Sequence, residues 1–144
     1  MSIRESVASN IVTTLEAATT PVTLAYVTRE PFDFTELSNA QFPAVLVQTT
    51  RETREDVTIG DDAITRSGTI SYELIGYVKS TTIDTARNNL IETIEEALDT
   101  DRTRNGNVLD TQIVTIETDE GAIAPIGGVI VTVEVMYNFT RGNT

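Results

Sequence analysis

The sequence predicts an α+β domain: a mainly antiparallel sheet of about five strands, with two helices packed on one face, in the order α-β-β-β-α-β-β. Two segments carry apolar residues at helical spacing, Ile3-Val7-Ile11-Leu15 and Ile83-Ala86-Leu90-Ile94-Leu98. The clearest strand, Val129 to Phe139, alternates apolar and polar residues throughout. Strands that follow one another without a helix between them favour antiparallel pairing, and two helices can then cover one sheet face. A length of 144 residues fits one domain, spanning 1–144.

The first helix runs from Ile3 to about Ala18. Ser2 and Glu5 match a capping box, and Thr19-Thr20-Pro21 ends the helix because the residue before proline is pushed out of helical geometry. Val22 to Thr28 reads as the first strand. A loop from Arg29 to Gln41 follows, and Pro43 introduces a second strand, Ala44 to Thr50. Arg51 to Ser67 has a different character. Arg51-Glu52-Thr53-Arg54-Glu55-Asp56 is polar on both faces of any strand, and Ile59 to Ala63 reads as a turn. The stretch reads as a long hairpin whose inner half sits in the sheet and whose outer half, polar on both faces and expected to bury nothing in its own domain, projects at 51–67. Thr69 to Val78 is the third strand. The second helix spans Ile83 to Leu98, capped by Ser80 or Thr82. Asn105-Gly106 marks a turn before a strand at Thr111 to Thr118, and Asp119-Glu120-Gly121 with Pro125 to Gly128 marks the connection to the last strand. That last strand is expected to lie inside the sheet, under the helices.

Composition narrows the chemistry. Cysteine and histidine are absent, which removes disulfides, Cys/His zinc sites, cysteine nucleophiles and histidine bases together. Lys79 is the single lysine and follows Tyr77-Val78, with no Gly-rich phosphate turn before it. Asp101, Thr103, Asn105 and Gly106 fall at calcium-loop spacing. Position twelve is Gln112, however, and Arg102 and Arg104 intrude, so a plain turn is expected. Asn138-Phe139-Thr140 fits a glycosylation sequon, a short pattern read as chance. No constellation argues for an enzyme, a cofactor or a metal. Nor does any apolar run reach the roughly 18 residues of a membrane span, and no secretory signal is read at the start.

The net charge is −12, and nine of the ten basic residues are arginine. Such a surface repels phosphate backbones. It suits a halophilic setting, where dense carboxylates keep a protein hydrated, and equally a channel through which DNA slides without being held. Glu92, Glu95, Glu96 and Asp99 line one side of the second helix, opposite its apolar stripe, as a solvated or channel-facing acidic face. Arg51, Glu52, Arg54, Glu55 and Asp56, of mixed sign, are candidates for contacts between subunits or rings, since such patches fix register.

An ordered set of features along nearly the whole chain resembles the tail terminator (minor tail, tail completion) proteins of long-tailed viruses of bacteria and archaea. These are the helix with Ile3, Val7 and Ile11, Phe42-Pro43-Ala44-Val45-Leu46-Val47, and Tyr72-Glu73-Leu74-Ile75-Gly76-Tyr77-Val78. The helix Ala86 to Leu98, Asp101-Arg102-Thr103, Asn105-Gly106, Asp119-Glu120-Gly121 and Val133-Glu134-Val135-Met136-Tyr137 complete the set. The acidic, lysine-poor composition departs from most such proteins and suggests a virus of a halophilic host. The resemblance implies a virion structural protein, assembled in the host cytoplasm as a homo-oligomeric ring, commonly of six. The ring would sit on the tail-tube protein, stop tube growth and meet the head connector or neck protein, with DNA passing through its lumen. It implies no catalytic residues. Two alternatives stand beside it: another neck or head–tail connector protein, and a small α+β ligand-binding domain, for which Gly127-Gly128 is the only hint.

Overall fold

The computed structural model describes residues 2–56, 65–119 and 123–140, and the side chains of Asp56, Thr65, Phe139 and Thr140 are not part of that description. The expected turn at Ile59 to Ala63, and Glu120-Gly121, therefore fall outside the described residues. The elements are α1 (Ile3–Glu16), β1 (Tyr26–Thr28), β2 (Ala44–Asp56), β3 (Thr65–Lys79), α2 (Ile83–Asp99), β4 (Asp110–Thr118) and β5 (Ile126–Thr140), with two short 3-10 turns between β1 and β2. They form the α+β fold in the expected order. One five-stranded sheet has the strand order β1-β2-β3-β5-β4. Every pairing is antiparallel except β1 with β2, which is parallel.

The helices form because their stripes have somewhere to go. Leu90, Ile94 and Leu98 of α2 are buried against the sheet, as are Val7, Ile11 and Leu15 of α1. Each such burial stabilises by roughly 1.5–3 kcal/mol, whereas ordinary helix propensities differ by no more than about 0.7 kcal/mol per residue, so packing decides. The opposing sheet face supplies Val45, Val47, Ile70, Tyr72, Leu74, Val131, Val133 and Val135. At the start of α1, the Ser2 hydroxyl accepts the Glu5 amide at 3.2 Å. The return half of the capping box is not made, because the Glu5 carboxylate is taken by Arg29 at 2.5 and 3.0 Å.

Several strand boundaries differ from expectation. Only Tyr26–Thr28 of the 22–28 run is a strand. Its first part packs instead of pairing: Leu24 is buried, and the Val22 amide donates to the Thr93 hydroxyl of α2 at 3.2 Å. Gly127 and Gly128 lie inside β5 rather than in a turn, paired with Val78 and Tyr77. At Gly127 a Cβ would stand 2.5 Å from Ile83 Cγ2, so glycine is what lets the start of α2 approach the strand.

The inner part of the polar ribbon is more engaged than its polarity suggests. Arg51 to Asp56 pair with Ser71 to Arg66, after a bulge near Thr50, and the same stretch of β3 pairs on its other side with β5 as far as Thr65↔Thr140. The base of the ribbon is thus the end of a three-stranded ladder. It also buries a charge. The Glu52 side chain is only 11% exposed and accepts from Arg4 Nη1 at 2.6 Å, Arg54 Nε at 2.6 Å and the Tyr137 hydroxyl at 2.5 Å. Polarity on both faces therefore does not mean idleness: a carboxylate satisfied by three charged or hydroxyl donors can be buried where an unpaired one cannot.

Candidate functional site

The sequence offers no catalytic constellation, so the surfaces available for assembly are taken as the candidate site. Among the described residues, no group of three or more carboxylates is placed to hold a metal ion. The calcium-like segment is an internally satisfied turn. The Asp101 carboxylate accepts the Thr103 hydroxyl (2.6 Å), the Thr103 amide (3.0 Å) and the Asn105 amide (2.8 Å). These bonds, the Thr103 hydroxyl first, hold its pKa below the ordinary aspartate value. Arg104, Asn105 and Gly106 all take positive φ angles of 50°, 62° and 80°.

Sequence reasoning missed what that turn contains. Arg104 is fully buried and is the largest side chain with no exposure. Its guanidinium donates to the carbonyls of Leu98 and Asp101 and, at 3.3 Å, to Asn10 Oδ1 of α1. A cation thus sits on the C-terminal carbonyls of α2, where the helix dipole favours it. Burial lowers its pKa, yet a guanidinium stays protonated. An arginine inside a polar turn carries no sequence signal of burial.

The five ribbon residues do not share one fate. Arg51 and Glu55 are exposed, Glu52 is the buried acceptor of the hub, and the Arg54 guanidinium lies against Glu52. The side chain of Asp56 is not described. Burial raises the Glu52 pKa, but the hydrogen bonds from Tyr137, Arg54 and Arg4 outweigh it, and the net position is below the ordinary glutamate value. On α2, Glu92, Glu96 and Asp99 are exposed and Glu95 is half-buried. All four lie away from the buried stripe, and Glu95 and Asp99 border Arg102 and Gln112.

The second acidic surface is the sheet face that no helix covers. Cross-strand register sets Gln48, Glu73, Thr132 and Thr115 in one row, and Ser71, Glu134 and Gln112 in the next. Glu117 lies opposite Ile130 on the same face. This face holds carboxylates, hydroxyls, amides and, paired with Ser71, the exposed Arg51, with the apolar Ile75, Ile130 and Met136 among them. Its lower end is closed by the β1–β2 connection, whose Phe34 ring stacks on Tyr77 at 4.9 Å while Phe32 contacts Tyr26 and Tyr77 at 5.6 and 5.8 Å. Beside Phe34 a cleft of about 260 Å³ is floored by Ile75, Gly128 and Ile130 and rimmed by Glu117 and Asp119. Asp119 is already engaged by the Arg87 guanidinium at 2.6 Å, so the cleft lacks the converging polar groups of a ligand site.

The third surface is the outer edge of β4. Exposed large apolar side chains gather around it: Leu109 (61%), Val114 (44%) and Ile116 (41%), with Met136 (39%) on the adjoining strand.

No helix among the described residues is long and apolar enough to cross a membrane. No family model matches the chain, and no curated protein sequence does. Among solved structures, the fold is similar to a chain described as "Virion of native gene transfer agent (GTA) particle". The TM-score is 0.52 and the identity 10%, over 92% of this chain and 94% of that one.

Proposed function

We propose that the chain is a non-enzymatic virion structural protein: a ring that caps the head-proximal end of a viral tail tube, ends tube growth and joins the tail to the head connector. The observation that carries this reading is a likeness along almost the full length of both chains to a protein of a gene transfer agent virion. The resemblance of the ordered sequence features to tail terminators supports the same placement. Its partners are further copies of itself, six in the ring that the resemblance implies, the tail-tube protein and a connector or neck protein, with DNA passing through without specific binding.

In such a ring, the uncovered sheet face suits the lumen better than α2. It presents Glu73, Glu134, Glu117 and Glu55 against the exposed cation Arg51, so the face is net acidic and a passing phosphate backbone is repelled more than held. The acids Glu92, Glu95, Glu96 and Asp99 belong to the helix layer, on the other side of the sheet, and are proposed as a solvated outer face. Arg51 and Glu55 are the ribbon charges free to meet a neighbouring subunit or ring.

The test is assembly. Purified protein is measured by light scattering at low and high salt, alone and with tail-tube protein, and tube lengths are read by electron microscopy. A discrete multiple of the 15.7 kDa chain, or tubes that stop growing when it is added, supports the reading. A monomer indifferent to salt and to tube protein overturns it.

A further inference from the structure

The sheet has two outer edges, and they are unlike. β1 is three residues long, and β4 is nine. Among the described residues no strand pairs with the outer side of either. A long open edge is a ready template for another strand, and soluble proteins blunt such edges with lysine, proline, inward charges or bulges. β4 has no lysine or proline. Thr111-Gln112-Ile113-Val114-Thr115-Ile116 runs for six residues without a charge, in a chain of net charge −12. The one blunting device present is the irregularity between Ile113 and Thr115. Around it stand the most exposed large apolar side chains described, Leu109, Val114 and Ile116.

From this edge we propose that β4 is the seam to a second copy of the chain, pairing antiparallel with the β1 edge of its neighbour. The inference rests on the ring reading and names the surface that closes the ring. Strand directions permit it: β4 runs opposite to β5, β5 opposite to β3, β3 opposite to β2, and β2 along β1, so β4 and β1 point in opposite senses. Copies placed side by side in the same orientation therefore meet as an antiparallel pair. This is the head-to-tail contact of two different surfaces that a ring needs, and closure leaves no edge exposed.

Charge selects β1 over a second β4. Tyr26–Thr28 is uncharged, and the Arg29 that follows is held by Glu5 on the helix side of the sheet. The cross-sheet row Val27, Val45, Gly76, Val129, Thr118 puts β1 level with the end of β4, where Glu117 stands. On the uncovered face this sets the uncharged Thr28 of the neighbour level with Glu117. Two β4 strands meeting about a two-fold axis would set Glu117 against Asp110, carboxylate near carboxylate.

The cysteine-free chain makes the test clean. Thr28→Cys and Thr115→Cys are made singly and together in the full chain. Both positions lie on the uncovered sheet face, and within one copy they are four strand spacings apart, roughly 19 Å. A short bifunctional thiol cross-linker is added, and mass is followed in parallel by light scattering. The expected result is a ladder from the double variant that stops at the ring number, dimers from a mixture of the two single variants, and neither from one single variant alone. Dimers from Thr115→Cys alone overturn the seam, since β4 then meets β4. A multimer that yields no cross-link overturns the seam and leaves the ring standing. A monomer without cross-links overturns both.

Discussion

At the residue scale, two buried charges do the work that sequence patterning could not display. Glu52 ties the start of α1, through Arg4, to the sheet, through Arg54 and Tyr137. Its folded pKa lies below its unfolded one. The stability it supplies is therefore complete above about pH 4.3 and is lost as pH falls through the folded value. Glu52→Gln should lower stability at pH 7 by roughly 1–3 kcal/mol, the cost of weakening hydrogen bonds to charged groups, and should shrink the loss seen on acidification. Denaturant melts of both proteins from pH 7 to pH 3 check this, and parallel acid limbs would refute the assignment. Arg104 is a different case. Its fork reaches three acceptors from a backbone with φ of 50°, a conformation an L-residue holds only when its surroundings insist. Arg104→Lys keeps the charge but loses the fork, and should cost about 2 kcal/mol, with Arg104→Ala costing more. Thermal melts of the two variants should rank in that order.

Elements were legible in the sequence where one face is apolar and were misread where it is not. The stripe Leu90-Ile94-Leu98 and the alternation from Val129 to Tyr137 report burial directly, and α2 and β5 stand where those patterns put them. The alternation of Val22 and Leu24 reports burial too, but of a packed segment, since periodicity registers what is covered and not what is paired. The outer half of β2 was illegible for the opposite reason: its stability comes from ladder bonds and from Glu52, neither of which needs an apolar residue. Nor does any local pattern disclose that β1 runs parallel to β2, because strand direction there depends on how the connection from Thr28 to Ala44 folds back. Gly68 exposes the geometry of this region. A Cβ there would lie 2.5 Å from Tyr137 Cε1, so the ring lies across the strand and reaches Glu52 only because residue 68 is glycine. Gly68→Ala should displace Tyr137 and destabilise by about 1–3 kcal/mol, as overpacking does. Combining it with Tyr137→Phe should cost less than the sum of the two, because each removes the same hydroxyl contact. A fully additive double variant would show that the tyrosine never depended on the glycine.

At the scale of the whole molecule, the net charge of −12 opposes compactness, and how far it does so is measurable. The candidate sites were legible to different depths for this reason. Exposed acids such as Glu92 and Glu96 can be read from spacing alone, while an edge such as β4 becomes visible only when the sheet order is known. Glu92 and Glu96 lie one helical turn apart on α2, an arrangement that costs about 0.2–0.5 kcal/mol in ordinary salt. Raising salt from ~0.1 M to ~1 M shortens the screening length from about 10 Å to about 3 Å, which silences repulsion between exposed acids. It acts less on Glu52, whose partners lie within 2.6 Å and largely out of water. Added salt should therefore relieve more repulsion than it removes attraction, and the melting temperature should rise by several degrees, at roughly 2–4 °C per kcal/mol for a chain near this size. Glu92→Gln with Glu96→Gln should melt higher than the parent at low salt and gain less from added salt. Melts in matched sucrose, which is excluded from surfaces without screening them, separate the two causes. If sucrose and salt raise both proteins equally, the gain comes from exclusion and not from charge, and the acidic surface has no electrostatic bearing on the fold.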